Sequence, residues 1–301
     1  MCGIVGFWNR QEDTGGLGRT ILKMLGALDC RGPDSAGVAL YGDGEDGRMV
    51  LRVSLGEYAD YEATARRVVS RAEALGTVAG WERTEEYLRL VIAYGGDAGK
   101  LEHAIEAAGE GVEVVSMGSR LEIVKQVGSP RNLDRSYLIS GFEGTHGIGH
   151  TRLSTESRID LSHSQPFWAH GHPDLAIVHN GHITNYHKLR RIYVQEGARF
   201  YTENDSEIIG MYLRRQLADG RDLEAAMAAS LTDLDGSFSY LVATPDAVGF
   251  VRDPYSFKPL LFAETHDFAA VATEEIAFRS AFDGDYDVVE ARARDMRLWH
   301  N

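Results

Sequence analysis

Runs and alternations of apolar residues divide the chain into blocks of different texture. Cys2 to Trp8 is a short apolar, glycine-containing run and predicts a buried strand beginning at the terminus itself. A Gly-rich polar loop, Gln11 to Gly18, precedes Ile21, Leu22, Leu25 and Leu28, whose spacing predicts one apolar face of a helix. The turn Arg31-Gly32-Pro33-Asp34 then leads into a second strand, Ser35 to Leu40.

From about Arg48 the pattern changes to strand, helix, strand, helix and two strands. The strands are Met49 to Val53, Leu88 to Ala93, Val112 to Ser116 and Arg120 to Val127, the last two flanking a hairpin turn at Met117-Gly118-Ser119. Between them, Tyr61, Ala65, Val68, Val69, Ala72 and Leu75 mark the face of one helix. Leu101, Ala104, Ile105 and Ala108 mark the face of another. This block gathers no catalytic-type residues, so residues 47–139 are read as a small α/β subdomain inserted into a single larger domain, 1–301. An interaction surface is the role expected of it.

After the insert, a strand ends at Gly147-Ile148-Gly149-His150, and a long polar loop runs from Thr151 to Pro166. A strand at Leu175 to His179 meets the turn Asn180-Gly181, since Asn-Gly is the favoured pair of a tight hairpin. Helices follow at about 185–195 and 205–217, the second turning Ile208, Ile209, Tyr212 and Leu213 inward. Four strands close the chain, at about 238–243, 248–252, 260–263 and 268–273. Strand-rich blocks separated by paired helices predict an α+β fold, with sheets covered by helices rather than a doubly wound parallel sheet.

Composition narrows the possible partners. With 31 Lys and Arg against 45 Asp and Glu, the formal charge is −14, which argues against nucleic acid and anionic membrane surfaces, both held by clustered cations. Two cysteines, Cys2 and Cys30, build no disulfide framework, and their scarcity fits a reducing, cytoplasmic setting. No run of about 18 apolar residues is present to span a bilayer. The N-terminus has no basic region followed by an apolar stretch, so no secretory signal is expected.

Cys2 is the first candidate for chemistry. Its small size predicts removal of Met1, and the freed α-amine, with a pKa of roughly 7.7–8.0, would sit beside the thiol as a built-in base. Histidines crowd the stretch from His146 to His187, with spacings such as His170-x-His172 and His179-x-x-His182. No cysteine accompanies them, and structural zinc sites usually mix Cys and His at fixed pair spacings, so no metal is expected. The Gly15-Gly16-x-Gly18 loop lacks the Lys-Ser/Thr of a phosphate-binding loop and reads as an ordinary loop.

Seven short segments fall in a telling order. They are Cys2-Gly3-Ile4-Val5-Gly6, Arg31-Gly32-Pro33-Asp34-Ser35, Gly149-His150-Thr151-Arg152, His179-Asn180-Gly181, Glu203-Asn204-Asp205-Ser206-Glu207 and the pair Asp235-Gly236-Ser237-Phe238 with Arg252-Asp253-Pro254-Tyr255. In this order they resemble the class II glutamine amidotransferases, a family of N-terminal nucleophile hydrolases, over the whole chain except the insert.

The resemblance implies the αββα four-layer sandwich of those hydrolases. It implies Cys2 as the nucleophile, with the Asn180 side chain and the Gly181 N–H as donors to the oxyanion. It implies Arg152 and Thr155 as contacts to glutamine, the Arg for its α-carboxylate, and Asp205 for its α-ammonium. Leu153 replaces the aromatic common after the Arg, and Glu156-Ser157 replaces a frequent His-Gly. Both departures lie at the pocket rim and bear on fine specificity.

No ATP-pyrophosphatase, phosphosugar-isomerase-like or phosphoribosyltransferase motif follows residue 273. The ammonia acceptor is therefore expected on partner subunits. Among members of the family, the chain is most similar to the free-standing amidotransferase subunit of glutamate-synthase-like enzymes such as N-methylglutamate synthase. That similarity implies glutamine or a related glutamyl amide as substrate, and no cofactor in this chain. It implies partners resembling the flavin and C-terminal domains of glutamate synthase, with FMN and an iron–sulfur cluster possible in them. The alternative is a non-catalytic scaffold with the same fold, in which ammonia or methylamine enters directly. A hydrolase of some other amide is disfavoured, because Arg152 with Asp205 would read an amino-acid head group.

Overall fold

A strand that is apolar on both faces must be covered on both sides, and the first strand sets the architecture. In the computed structural model, which describes residues 2–11, 16–44, 47–57, 60–153 and 161–300, strand β1 (Gly3–Asn9) is buried along nearly its whole length. Alternation sends Ile4 and Trp8 into one apolar cluster and Val5 and Phe7 into another.

The chain continues through helix α1 (Leu17–Ala27) and strand β2 (Ser35–Tyr41). Strand β3 (Met49–Ser54), helix α2 (Tyr61–Glu73), strands β4 (Thr77–Thr84) and β5 (Tyr87–Ala93), helix α3 (Ala98–Glu106) and strand β6 (Glu113–Gly118) come next. Strand β7 (Leu121–Val127), helix α4 (Pro130–Tyr137), and strands β8 (His146–Arg152), β9 (Phe167–Trp168) and β10 (Ala176–Ile183) follow. Three helices, α5 (Tyr186–Gln195), α6 (Ser206–Ala218) and α7 (Leu223–Asp233), precede strands β11 (Gly236–Thr244) and β12 (Ala247–Arg252). The chain ends with β13 (Leu261–Glu264), β14 (Phe268–Ala272), helix α8 (Glu275–Ala281), β15 (Val289–Glu290) and β16 (Met296–His300).

The strands form a seven-stranded sheet in the order β15-β13-β14-β1-β8-β2-β7 and a five-stranded sheet in the order β16-β12-β11-β10-β9. Ile4, Trp8 and Ile148 of the first meet Val178, Leu241 and Phe250 of the second in one shared cluster, so the two sheets face each other. On its other face the first sheet packs Val5, Phe7 and Val38 against Ile21 and Leu25 of α1 and Phe278 of α8. The second packs Ile177, Tyr240 and Val251 against Ile208 and Leu213 of α6 and Met227 of α7. This is an α+β fold.

A third sheet, β4-β5-β3-β6, lies within the expected insert. Helix α2 is started by Asp60, which accepts from the Ala63 N–H at 3.1 Å, and α3 by Asp97, which accepts from the Lys100 N–H at 2.9 Å. The expected hairpin across Met117-Gly118-Ser119 is not one. Strand β6 belongs to the small sheet, whereas β7 pairs with β2, Tyr41 opposite Leu121 and Ser35 opposite Val127, and closes the edge of the seven-stranded sheet. The reason is Asp174, a buried carboxylate that accepts from the Ser119, Arg120 and Leu121 N–H groups at 2.8, 2.9 and 2.9 Å, holding the chain open where it changes sheets.

Several elements escape the hydrophobic pattern. Strand β4 is exposed along most of its length, so it shows no alternation. Helices α4 and α8 span eight and seven residues, too few to establish a helical period.

Candidate active site

The site assembles where β1, β8 and β10 bring distant residues to the N-terminus. Gly3 lies opposite Thr151 on β8. A Cβ on Gly3 would come within 2.8 Å of the Thr151 hydroxyl, so the smallest residue is needed for the first strand to reach β8 beside Cys2. Cys2 is partly exposed, and its Sγ lies 3.8 Å from the Leu153 carbonyl oxygen.

The Arg31-Gly32-Pro33-Asp34 turn is pressed against the end of β8. A Cβ on Gly32 would fall 2.5 Å from the Arg152 nitrogen, Pro33 bridges to Arg152, and the Asp34 N–H donates to the Arg152 carbonyl at 3.1 Å. This contact delivers Arg31 to the N-terminus. Its Nε donates to the Cys2 carbonyl at 3.2 Å, while its guanidinium pairs with Glu274 at the start of α8. Arg31 holds the backbone of the terminal residue from one side.

Asn180 holds it from the other. Its Nδ2 donates to the same Cys2 carbonyl at 3.3 Å, and the side chain is buried. The expected turn at Asn180-Gly181 is absent, because β10 runs on to Ile183 with Asn180 opposite Ser239 and Gly181 opposite Phe238. Gly181 makes this possible with φ at 140° in unbroken register. A Cβ there would meet the Ser237 carbonyl oxygen at 2.1 Å. The segment is therefore strand and not hairpin, and its Asn180 reaches Cys2 from within a sheet.

Behind Asn180 lies a buried network not foreseen from the sequence. The His179 N–H donates to Gln165 Oε1 at 2.6 Å, and Gln165 Nε2 donates to the His179 carbonyl at 3.1 Å and to Ser206 Oγ at 3.0 Å. The ring Nδ1 of His179 lies 2.8 Å from Ser206 Oγ. Gln165 thus acts as an extra rung beside β10 and fixes the peptide preceding Asn180. A polar residue inside a long loop gives no periodic signal from which to foresee this.

Asp205 is placed at the head of α6, but it does not cap that helix. Its Oδ2 instead accepts from the Ile183 N–H at 2.8 Å, and its Oδ1 lies 3.8 Å from His179 Nδ1. The capping work around it is done by others: Asn204 Oδ1 accepts from the Ser206 N–H, and Glu207 accepts from the Tyr201 and Thr202 N–H groups. Asp205 is consequently tied to β10 two residues past Gly181. Arg152 ends β8, is buried, and lies opposite Ser35. Thr155, with Glu156 and Ser157, falls outside the described residues.

The histidines here are neutral core groups. Burial pushes His150 down to about 3, with the Arg152 charge adding to the effect, and burial likewise holds His179 below its ordinary value. Both ring nitrogens of His150 and the Nε2 of His179 are buried without a hydrogen-bond partner among the described residues. His146 is sandwiched between Trp8 and Tyr41, at ring-centroid distances of 4.5 and 4.4 Å.

Comparison with known proteins gives the family of the chain. A glutamine amidotransferase domain profile matches residues 150–280, which include Arg152, Asn180, Gly181 and Asp205. A Methanothermobacter thermautotrophicus protein assigned to the glutamine amidotransferases is 35% identical over 289 residues, covering 94% of each chain. The glutamine amidotransferase-like protein GlxB of Rhizobium meliloti is 35% identical over 288 residues, covering 91% of this chain and 89% of its own. An amidophosphoribosyltransferase of M. thermautotrophicus is 36% identical over 137 residues, 45% of this chain and 29% of that one. Among solved structures, the allosteric regulatory enzyme of purine biosynthesis superposes with a TM-score of 0.65 at 18% identity, over 100% of this chain and 47% of that chain. The Bacillus subtilis glutamine phosphoribosylpyrophosphate amidotransferase gives 0.63 at 18% identity, over 99% of this chain and 49% of that one. This chain spans about half the length of each of those two structures, and their likeness speaks to fold.

Proposed function

The chain belongs to the class II glutamine amidotransferases, and from that premise we propose that it hydrolyses the γ-amide of glutamine and passes the ammonia to partner synthase subunits. One observation carries the reading. The Cys2 carbonyl is gripped jointly by Arg31 and Asn180, which supports a role for Asn180 next to the terminal residue.

In this scheme Met1 is removed and the free amine of Cys2 accepts the thiol proton, through a water. The sulfur adds to the γ-carbonyl carbon, and the oxyanion that forms is held by Asn180 Nδ2 and the Gly181 N–H. Collapse breaks the C–N bond, the amine returns its proton to the leaving nitrogen, and ammonia departs from a γ-glutamyl thioester. Water then hydrolyses the thioester to glutamate and restores the thiol. Arg152 pairs with the substrate α-carboxylate through its fork of donors. Asp205, with Thr155 as a further contact, holds the α-ammonium end. One Asp205 oxygen is already anchored at Ile183, which supports a fixed orientation for the other.

The partners in this reading resemble the flavin and C-terminal domains of glutamate synthase, as in an N-methylglutamate synthase-type complex. FMN and an iron–sulfur cluster would be carried by them rather than by this chain. Glutamine hydrolysis is the direct test, measured for the wild type and for Cys2→Ala, with and without co-purified partners, alongside intact mass. Activity that vanishes in Cys2→Ala, with a mass lacking one Met, supports the scheme. A chain that keeps Met1 and hydrolyses no glutamine in the complex is instead a scaffold of the same fold.

A further inference from the structure

Outside the active site, one cluster of buried donors joins the inserted subdomain to the main domain. Glu102 and Glu106 stand one helical turn apart on α3. His170 follows β9 on the main domain, and all three residues are more than nine-tenths buried. One atom from each, two carboxylate oxygens and an imidazole nitrogen, lie within 4.8 Å of one another. His170 is held in a fixed orientation, stacked on Tyr201 at 3.8 Å between ring centroids and against Trp168 at 4.8 Å. Its Nδ1 lies 2.8 Å from Glu102 Oε1.

With both carboxylates ionised, the hydrogen count in this cluster does not close. The Tyr201 hydroxyl lies 2.7 Å from Glu102 Oε1 and 2.9 Å from Glu106 Oε2, yet it owns a single proton and can satisfy one of them. The remaining contact sets two acceptor oxygens against each other in a buried place. Among the described residues the one permanent cation in contact is Arg199, which reaches Glu106 Oε2 at 3.0 Å from a largely exposed position, while Glu102 meets the His170 ring and the Tyr201 phenol. Buried carboxylates are tolerated when paired or when they coordinate a metal.

We propose that Glu102, Glu106 and His170 bind a divalent transition-metal ion that ties the inserted subdomain to the main domain. The donor set selects the ion. One imidazole with two carboxylates suits zinc, whose bonds to nitrogen and oxygen are about 2.0–2.2 Å and which accepts three protein ligands plus a water. A double positive charge balances the two carboxylates and removes the oxygen–oxygen conflict, with the Tyr201 phenol released to donate to the outer oxygen of one of them. This departs from the expectation that the chain holds no metal. The histidine spacing concealed the site, because the partners of His170 lie on the insert, more than sixty positions upstream.

The test uses the full chain, stripped with EDTA and titrated with zinc chloride. Zinc content by elemental analysis, calorimetric titration and melting temperature are read for the wild type, His170→Ala, Glu106→Gln and Cys30→Ser. The expected result is one zinc per chain in the wild type and in Cys30→Ser, and a melting temperature that rises on adding zinc. Affinity is expected to weaken by more than about tenfold in His170→Ala and in Glu106→Gln. Cobalt substitution should give ligand-field bands without thiolate charge transfer, separating this site from binding at Cys2 or Cys30. Zinc retained undiminished in His170→Ala, or a wild type whose melting temperature and zinc content ignore both EDTA and zinc, overturns the site. If His170→Ala does not fold, the shape-conserving Glu106→Gln decides on the same readouts.

Discussion

The sheet ends that carry Cys2 and the seam that joins the insert to the main domain both bury polar groups, but they satisfy them differently. At the seam, Asp174 accepts from three backbone N–H groups and from the Ser119 hydroxyl, and Glu122 is gripped by the guanidinium groups of Arg52 and Arg89. At the active site, His150, the Nε2 of His179, and the hydroxyls of Ser35 and Ser239 have no partner among the described residues. Ser35 lies opposite Arg152 and Ser239 opposite Asn180, so these orphans cluster around the proposed catalytic groups. An unmade buried hydrogen bond costs about 1–3 kcal/mol. The part of the seam around Asp174 and Glu122 is therefore fully paired, unlike its Glu102–Glu106–His170 cluster, whereas the site carries a standing polar deficit of the kind active sites retain.

That contrast can be broken by exchanging the consequences of mutation. Asn180→Ala should lower kcat for glutamine hydrolysis by about 10²- to 10³-fold with little change in melting temperature. A variant that unfolds with its activity per folded molecule intact would show that Asn180 belongs with the structural seam. Arg152→Lys replaces a two-pronged donor by a point charge and should raise KM by roughly one to two orders of magnitude while kcat changes less. An unchanged KM removes Arg152 from the carboxylate clamp. On the other side, Asp174→Asn should cost about 1–3 kcal/mol in denaturant unfolding and leave kcat unaffected. Lost activity without lost stability would make the seam part of the catalytic apparatus.

The two regions should also fail in different pH windows. His150 is held down to about 3 from an ordinary 6.5, chiefly by burial, so the unfolded chain takes up that proton first. Its contribution is complete above pH 6.5 and drains as the pH falls toward 3, at about 1.4 kcal/mol per pH unit. Burial alone would raise Glu122, but Arg52 and Arg89 outweigh it and hold the carboxyl below its ordinary 4.5. Its contribution is present above pH 4.5 and is lost only as the pH falls through that lower folded value. Unfolding measured against pH should therefore flatten between 6.5 and 4.5 in His150→Gln, and only below 4.5 in Glu122→Gln. Identical profiles for the two variants would erase the distinction.

The same division explains what could be read from the residues. Strands β1, β2, β8 and β11 to β14 carry apolar runs or alternations, and each lies close to its expected place. The groups that meet at Cys2 were legible because they sit in short segments whose order resembles a known family. Arg31 lies within one of those segments, but its grip on the Cys2 carbonyl depends on Gly32 pressing against β8, a contact across more than a hundred residues. Gln165 and Asp174 were invisible for a related reason. Each is a lone polar residue in a loop, and its importance lies in backbone N–H groups supplied by other segments. The Asn180-Gly181 pair misled in the opposite direction, since local preference favours a turn and the β11 ladder overrides it.

The pairing of Tyr41 with Leu121 puts the departure of the intervening chain and its return side by side on neighbouring strands. Residues 42–120 therefore amount to one long loop closed at its neck by β2 and β7. Loop closure grows only with the logarithm of length, so carrying these residues instead of a four-residue turn costs about 2–3 kcal/mol in chain entropy. Grafting a short turn between Tyr41 and Leu121 should turn the two strands into a plain hairpin at the edge of the seven-stranded sheet. The same neck could accept a foreign domain whose own termini lie close together, which makes this edge a natural port for exchanging one module for another.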